Sequence, residues 1–313
     1  RMRISLAGRD GARRRARWFR AGVWLACAGL ALAANARLAA PKPADAAGDA
    51  GWPEDARGLL QRPGFLRADS GTNAICLRSV TFCGHVHMHT NTWCYIALDA
   101  DRMELGRNML ETALAKYPMA LLSAHLDGVH LVLPGSLKRF QNGQWDSAAA
   151  GTYGDNAVYV IVETSTGRKG SSRFSEAVFH HELSSLLVGK HPDLFDYDTW
   201  RAANPRHFEY ARQKKSSPQL ATNLFAKGFV ASYGKASLEN DINTYAMYLF
   251  TRADWLLQQA EQYPRVKRKV NALIRFYGRL DPGFTREFFR RHCATALFAD
   301  ERKQLDVATR AIA

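Results

Sequence analysis

The sequence predicts an α+β fold, a small mixed sheet packed on one central helix with further helices toward the C-terminus. Three observations predict it. Short β-branched and aromatic runs lie between residues 76 and 162, separated by Gly, Pro and Asn. A helix-period stretch carrying His180-His181-Glu182 follows them. From residue 238 onward helical spacing dominates.

The elements follow in chain order. Residues 1–20 hold eight arginines against Asp10 and so contribute +7 of the +14 formal charge. They precede an uncharged apolar run of 14 residues, Ala21 to Ala34. That length suits a signal-peptide core and is short of the about 20 residues of a membrane span. Ala34-Asn35-Ala36 offers a small-x-small cleavage site, so residues 1–36 read as an export signal. The alternative is an uncleaved N-terminal anchor, the one membrane-inserted segment expected. Residues 37–58, rich in Ala, Pro, Gly and Asp, read as a flexible linker. One domain is expected over 59–300, with a tail over 301–313. The predicted location is periplasmic or secreted.

Beyond the signal stand Cys76, Cys83, Cys94 and Cys293. In an exported chain they suit disulfides, and Cys83 with Cys94 flanks an expected hairpin. That hairpin is formed by Ser79 to Phe82 and Trp93 to Ile96 around Thr90-Asn91-Thr92. Met103, Leu105, Met109, Leu110 and Leu114 give a helix over 102–117. Val129 to Leu133 is a strand stopped by Pro134, and Ala157 to Val162 a second, led in by residues 151–155. The His181 helix comes next, opened by Ser171-Ser172. Phe195 to Ala203 and Pro205 to Lys214 read as loops with aromatic anchors. Gly228 to Tyr233 reads as an extended piece or turn. Residues 238–260 form one long helix, residues 263–277 a basic amphipathic one, and Phe284 to Leu297 a last one.

The chemistry centres on Phe179-His180-His181-Glu182-Leu183-Ser184-Ser185-Leu186-Leu187. A His-Glu pair in a helix is half of the His-Glu-x-x-His metal motif. That motif needs histidines at i and i+4, because one helical turn brings both imidazoles to one ion. His181 supplies the first, and Ser185 stands at i+4.

Further blocks accompany this run: Lys116-Tyr117-Pro118, Gly151-Thr152-Tyr153, Phe195-Asp196 with Trp200, Asn204, Gly228 to Tyr233, Ser237 to Ala246, and Lys269 to Tyr277. In this order the sequence resembles the zincin-like, exported bacterial zinc-binding metallopeptidases, from about Leu105 to Phe289. The resemblance implies a zincin-like fold, zinc as cofactor and a peptide or protein substrate. It implies His181 as a ligand and Glu182 as the base that takes a proton from metal-bound water. It implies Tyr233 as stabiliser of the tetrahedral intermediate. The third ligand of related proteins is a Glu seven residues after that Tyr, where this chain has Asn240 between Glu239 and Asp241. Glu239 or Asp241 would then supply the acidic ligand. His180, Ser185 and Asn240 are accessory candidates, and His191 could fold back to complete the set.

His85, His87 and His89 alternate, so in a strand they share one side and form a second possible metal cluster. Basic helix faces at Lys267-Arg268-Lys269 and at Arg286, Arg290 and Arg291 could touch an envelope polymer or anionic lipid. No nucleic-acid motif is present. Ser184-Ser185 lies mid-helix without a Gly-rich elbow, unlike a serine nucleophile. Two functions are therefore expected as alternatives. One is a zinc-dependent peptidase of the cell envelope. The other is an inactive pseudo-peptidase that binds a peptide or glycan in the retained cleft.

Overall fold

The computed structural model describes residues 56–63, 65–67, 75–80, 90–98, 103–141, 144–147, 150–154, 156–162, 172–211 and 220–293. All fall within one compact unit, Gly51–Ala313. The expected signal, most of the linker, Cys27, Cys83, the histidines at 85, 87 and 89, and the 301–313 tail lie outside the described residues.

The fold is α+β, as the sequence predicts. Helix α1 (Ala56–Gln61) leads into strand β1 (Leu66–Arg67). Strands β2 (Ile75–Val80) and β3 (Thr90–Tyr95) pair antiparallel. Two strands therefore pair antiparallel in the region of the expected hairpin, but Trp93 faces Leu77, Ser79 and Val80 face Asn91 and Thr90, and Thr90-Asn91-Thr92 belongs to the second strand and not to its turn. Helices α2 (Met103–Leu114) and α3 (Met119–His125) precede β4 (Gly128–Val132). Then come β5 (Lys138–Gln141), β6 (Gln144–Ser147), β7 (Gly151–Gly154) and β8 (Ala157–Ile161). One sheet has the order β1-β4-β8-β7, and the other β2-β3-β5-β6. The first is mixed: β1, β4 and β8 run parallel, and β7 pairs antiparallel with β8. The expected lead-in at 151–155 is thus a strand in its own right.

The run Ala157-Val158-Tyr159-Val160-Ile161 is apolar without alternation because both its faces are covered. Val158 and Val160, with Val129 and Leu131 of β4, join the main core. Ala157, Tyr159 and Ile161 point the other way and meet Trp93, Tyr95, Val132 and Leu137. His130 lies on that second side, 2.7 Å from the Tyr95 hydroxyl through Nδ1 and stacked on Tyr159.

Helix α4 (Ser172–Lys190) packs on β7, β8 and α2. Phe179, Leu183, Leu186 and Leu187 supply its core face. Helices α5 (Tyr197–Ala202), α6 (Leu238–Thr251), α7 (Ala253–Gln262), α8 (Pro264–Leu280) and α9 (Arg286–His292) follow. Three differ from the sequence reading. Helix α5 stands where a loop is expected, started by Asp196, which accepts from Thr199 N at 3.0 Å. The stretch 238–260 is not one helix. At Arg252 (φ −151°, ψ 46°) the backbone leaves helical geometry. There Ala253 N turns to the Cys293 carbonyl at 3.1 Å. The last helix begins at Arg286 rather than Phe284, because Thr285 caps it by accepting from Phe288 N at 3.0 Å.

Gly228 (φ 82°) ends a 3₁₀ turn over Thr222–Lys227 in the left-handed region, which favours glycine. Its carbonyl accepts from Tyr245 OH at 3.0 Å and from Lys269 Nζ at 2.8 Å. This pins the segment before Tyr233 against α6 and α8.

Candidate functional site

Helix α4 runs beside α6 and under the edge strand β7. The approach of β7 depends on Gly151. A Cβ there would stand 2.5 Å from Val178 Cγ1, 2.8 Å from the Tyr159 carbonyl and 3.0 Å from Glu182 Cγ. Glycine at 151 is thus what lets the strand lie against Glu182.

The first turn of α6 is set by Ser237, whose hydroxyl accepts from Asn240 N at 3.0 Å. That cap fixes which residues face α4. Glu239 and Asn243, one helical turn apart, both reach Ser185. Ser185 Oγ donates to Glu239 Oε1 at 2.8 Å, and Asn243 Nδ2 donates to Ser185 Oγ. The Tyr153 hydroxyl of β7 also donates to Glu239. Ser185, Glu239, Asn243 and Tyr153 therefore form one network across three elements.

His181 and Glu182 are part-buried beside this network. Desolvation pushes the His181 imidazole down to about 4, so it is neutral at pH 7. Desolvation, then the nearby Glu239 charge, pushes Glu182 well above the usual carboxyl range. Desolvation also raises Glu239, against the lowering effect of the Ser185 and Tyr153 hydroxyls. Two neighbouring carboxyls taken out of water favour a protonated form. The Tyr233 ring, in the 3₁₀ turn Ser232–Lys235, lies 5.8 Å from the His181 ring between centroids. The arrangement holds a neutral imidazole, two carboxyls biased toward protonation, two phenols and the amide of Asn243.

His181, Glu182, Ser185, Tyr233 and Glu239 thus come together, and Asn240 lies in the same first turn of α6. Asp241 does not join them. Two residues on from Glu239, it points to another side of α6. Its Oδ2 accepts from Lys269 Nζ at 2.6 Å, Tyr210 OH at 2.6 Å and Trp200 Nε1 at 2.9 Å. It anchors a buried lysine that also lies 4.1 Å over the Phe229 ring. Gly234 leaves room for it, since a Cβ there would sit 3.2 Å from Asp241 Oδ1.

His180 turns into the core, as the roughly 100° between adjacent helical residues requires. It is fully buried, with Nδ1 2.8 Å from Tyr117 OH. Its Nε2 lies 3.5 Å from Glu176 Oε1, which also takes Lys116 Nζ at 2.5 Å. Burial pushes His180 down to about 4. The block Lys116-Tyr117 thus serves this interior network. His191 does not fold back. It stands past the end of α4, about 15 Å along the axis from His181 at 1.5 Å per residue.

The donor set can be weighed against zinc, which takes three protein ligands in a catalytic site. His181 and Glu239 are suitable ligand types. Ser185, four residues after His181, aims its proton at Glu239 and accepts from Asn243 Nδ2. Among the described residues no group of three or more His, Cys, Asp or Glu side chains is placed to hold a metal ion. The described side chains therefore do not form a three-ligand set. The sequence reading gave no role to Tyr153 or Asn243. Asn243 was detectable, because it lies one helical turn after Glu239; the Tyr153 contact depends on strand pairing and has no local signal. The chain matches no protein-family profile, no curated protein and no solved structure.

Proposed function

We propose that this chain is an exported zincin-like protein whose cleft binds a peptide segment without cutting it. One observation carries the reading: the Ser185–Glu239 hydrogen bond, backed by Asn243, occupies the place where a second ligand would meet the ion. The polar groups beside it are reachable, since His181, Glu182, Tyr233 and Glu239 are all part-exposed. His181, Glu182 and Glu239 are also biased toward neutral forms. A mixed set of neutral donors and acceptors suits peptide amides better than a charged ligand. The export reading rests on residues 1–36, and among the described residues no helix is long and apolar enough to cross a membrane.

The test is a peptide-library binding screen on the chain beginning near Arg37, with cleavage followed by mass spectrometry. Binding without cleavage, unchanged by a chelator, is the expected result. Selective capture of an envelope glycan with no peptide binding would replace the peptide with the glycan. A second reading is the zinc-dependent peptidase. The closeness of the His181 and Tyr233 rings favours it, and chelator-sensitive cleavage would establish it.

A further inference from the structure

A histidine pair lies away from this cleft, at the C-terminal end of α4. His125 is the last residue of α3, and His191 is the first residue after α4. Their Nε2 atoms stand 3.1 Å apart, and the rings meet edge to face with centroids 4.7 Å apart. Both backbones are fixed by their helices. Leu126 N, next to His125, bonds the Leu122 carbonyl at 2.8 Å, and His191 N bonds the Leu187 carbonyl at 3.0 Å. Leu122, Leu126 and Leu187 are core residues.

We propose that His125 and His191 are two ligands of one shared site for a divalent transition ion, clamping the end of α3 to the end of α4. The geometry carries it. Two nitrogens bound at about 2.0–2.1 Å to a tetrahedral ion stand about 3.3 Å apart. Two adjacent nitrogens in a square plane stand about 2.9 Å apart by the same lengths. The observed 3.1 Å lies between these values, so the separation suits either geometry once each ring turns its nitrogen from its partner toward the ion. In the metal-free pair one ring donates and the other accepts, so at least one imidazole is already in the neutral, ligating form. Both rings are half-buried, which leaves a side open to solvent for water ligands.

The charges around the pair act in both directions. Lys190 lies near both rings and disfavours a cation. Asp127, two residues after His125, interacts with Lys190 and offsets it. Asn156 Nδ2 holds Asp127 Oδ2 at 3.1 Å. Imidazole nitrogen is a borderline donor, so the fitting ions are zinc, nickel and copper rather than magnesium or calcium. The clamp differs from any site at His181, since it shares no residue with it.

The experiment is zinc equilibrium dialysis on the full chain, with His125→Gln, His191→Gln and the double variant. Circular dichroism checks the fold of each. Each single variant should bind one equivalent less than the unmutated chain, and the double variant should also lose only one. A single variant with unchanged stoichiometry would overturn the site, and so would a double variant that loses two equivalents. On the unmutated chain, zinc should shield His125 and His191 together from diethyl pyrocarbonate. Shielding of one without the other would also overturn it.

Discussion

The Ser185 hydroxyl donates to the Glu239 carboxyl across 2.8 Å, joining α4 to the first turn of α6. The same oxygen accepts from Asn243, so one small side chain satisfies two buried or part-buried polar groups. Ser185→Ala leaves the Asn243 amide without this acceptor and Glu239 with one donor fewer. A buried group left unsatisfied costs about 1–3 kcal/mol. Urea denaturation should show a loss of that size for Ser185→Ala, with an unchanged m value.

Glu182→Gln tests the electrostatics of the cleft. The folded-state pKa of Glu182 is raised by desolvation and by Glu239. The folded protein therefore keeps a proton that the unfolded chain has released, and stability falls as pH rises through and above about 4.3. Glutamine removes that penalty. The variant should be more stable than the parent near neutral pH, and the gain should shrink as pH falls below about 4. Thermal melts across that range would show it, and a variant less stable at neutral pH would contradict it.

Lys269→Met tests the buried ion pair behind the cleft. Lys269 and Asp241 lie 2.6 Å apart with side chains 0% and 1% exposed. Removing one partner strands the other charge in the interior, which costs about 3–5 kcal/mol. Adding Asp241→Asn should restore part of the loss, because the stranded charge is then gone. Chemical denaturation of the single and double variants reads both effects.

Much of this architecture was legible in the sequence, for identifiable reasons. The strand at 157–162 declared itself as an apolar run, and α4 by the spacing of Phe179, Leu183, Leu186 and Leu187. What stayed hidden depends on contacts distant in sequence. The break at Arg252 comes with Ala253 bonding to Cys293, which no local pattern signals. His180 and His181 are chemically alike, and only the helix's orientation sends one into the core and the other to the cleft. The choice among Glu239, Asn240 and Asp241 turned on where Ser237 caps α6. Asp241 was drawn away by Lys269, Trp200 and Tyr210, which converge on it from three other segments.

The cysteines give a further expectation. Cys76 stands directly opposite Cys94 in the β2–β3 register, while Cys83 of the expected Cys83–Cys94 pairing lies outside the described residues. In an oxidised preparation, peptide mapping without reductant should find Cys76 linked to Cys94. Cys293 is a free, buried thiol pushed up to about 12 by burial, so it should resist alkylation until the chain unfolds. A Cys83–Cys94 peptide in the map would contradict the pairing.

The most direct test of the central claim is the zinc content of the chain beginning near Arg37, beside a His181→Ala variant, with peptide cleavage measured on both. A cleft that binds without cutting predicts no zinc equivalent that depends on His181 and no cleavage by either protein. One zinc per chain that disappears with His181, together with cleavage that disappears with it, would contradict the account and make the protein a peptidase.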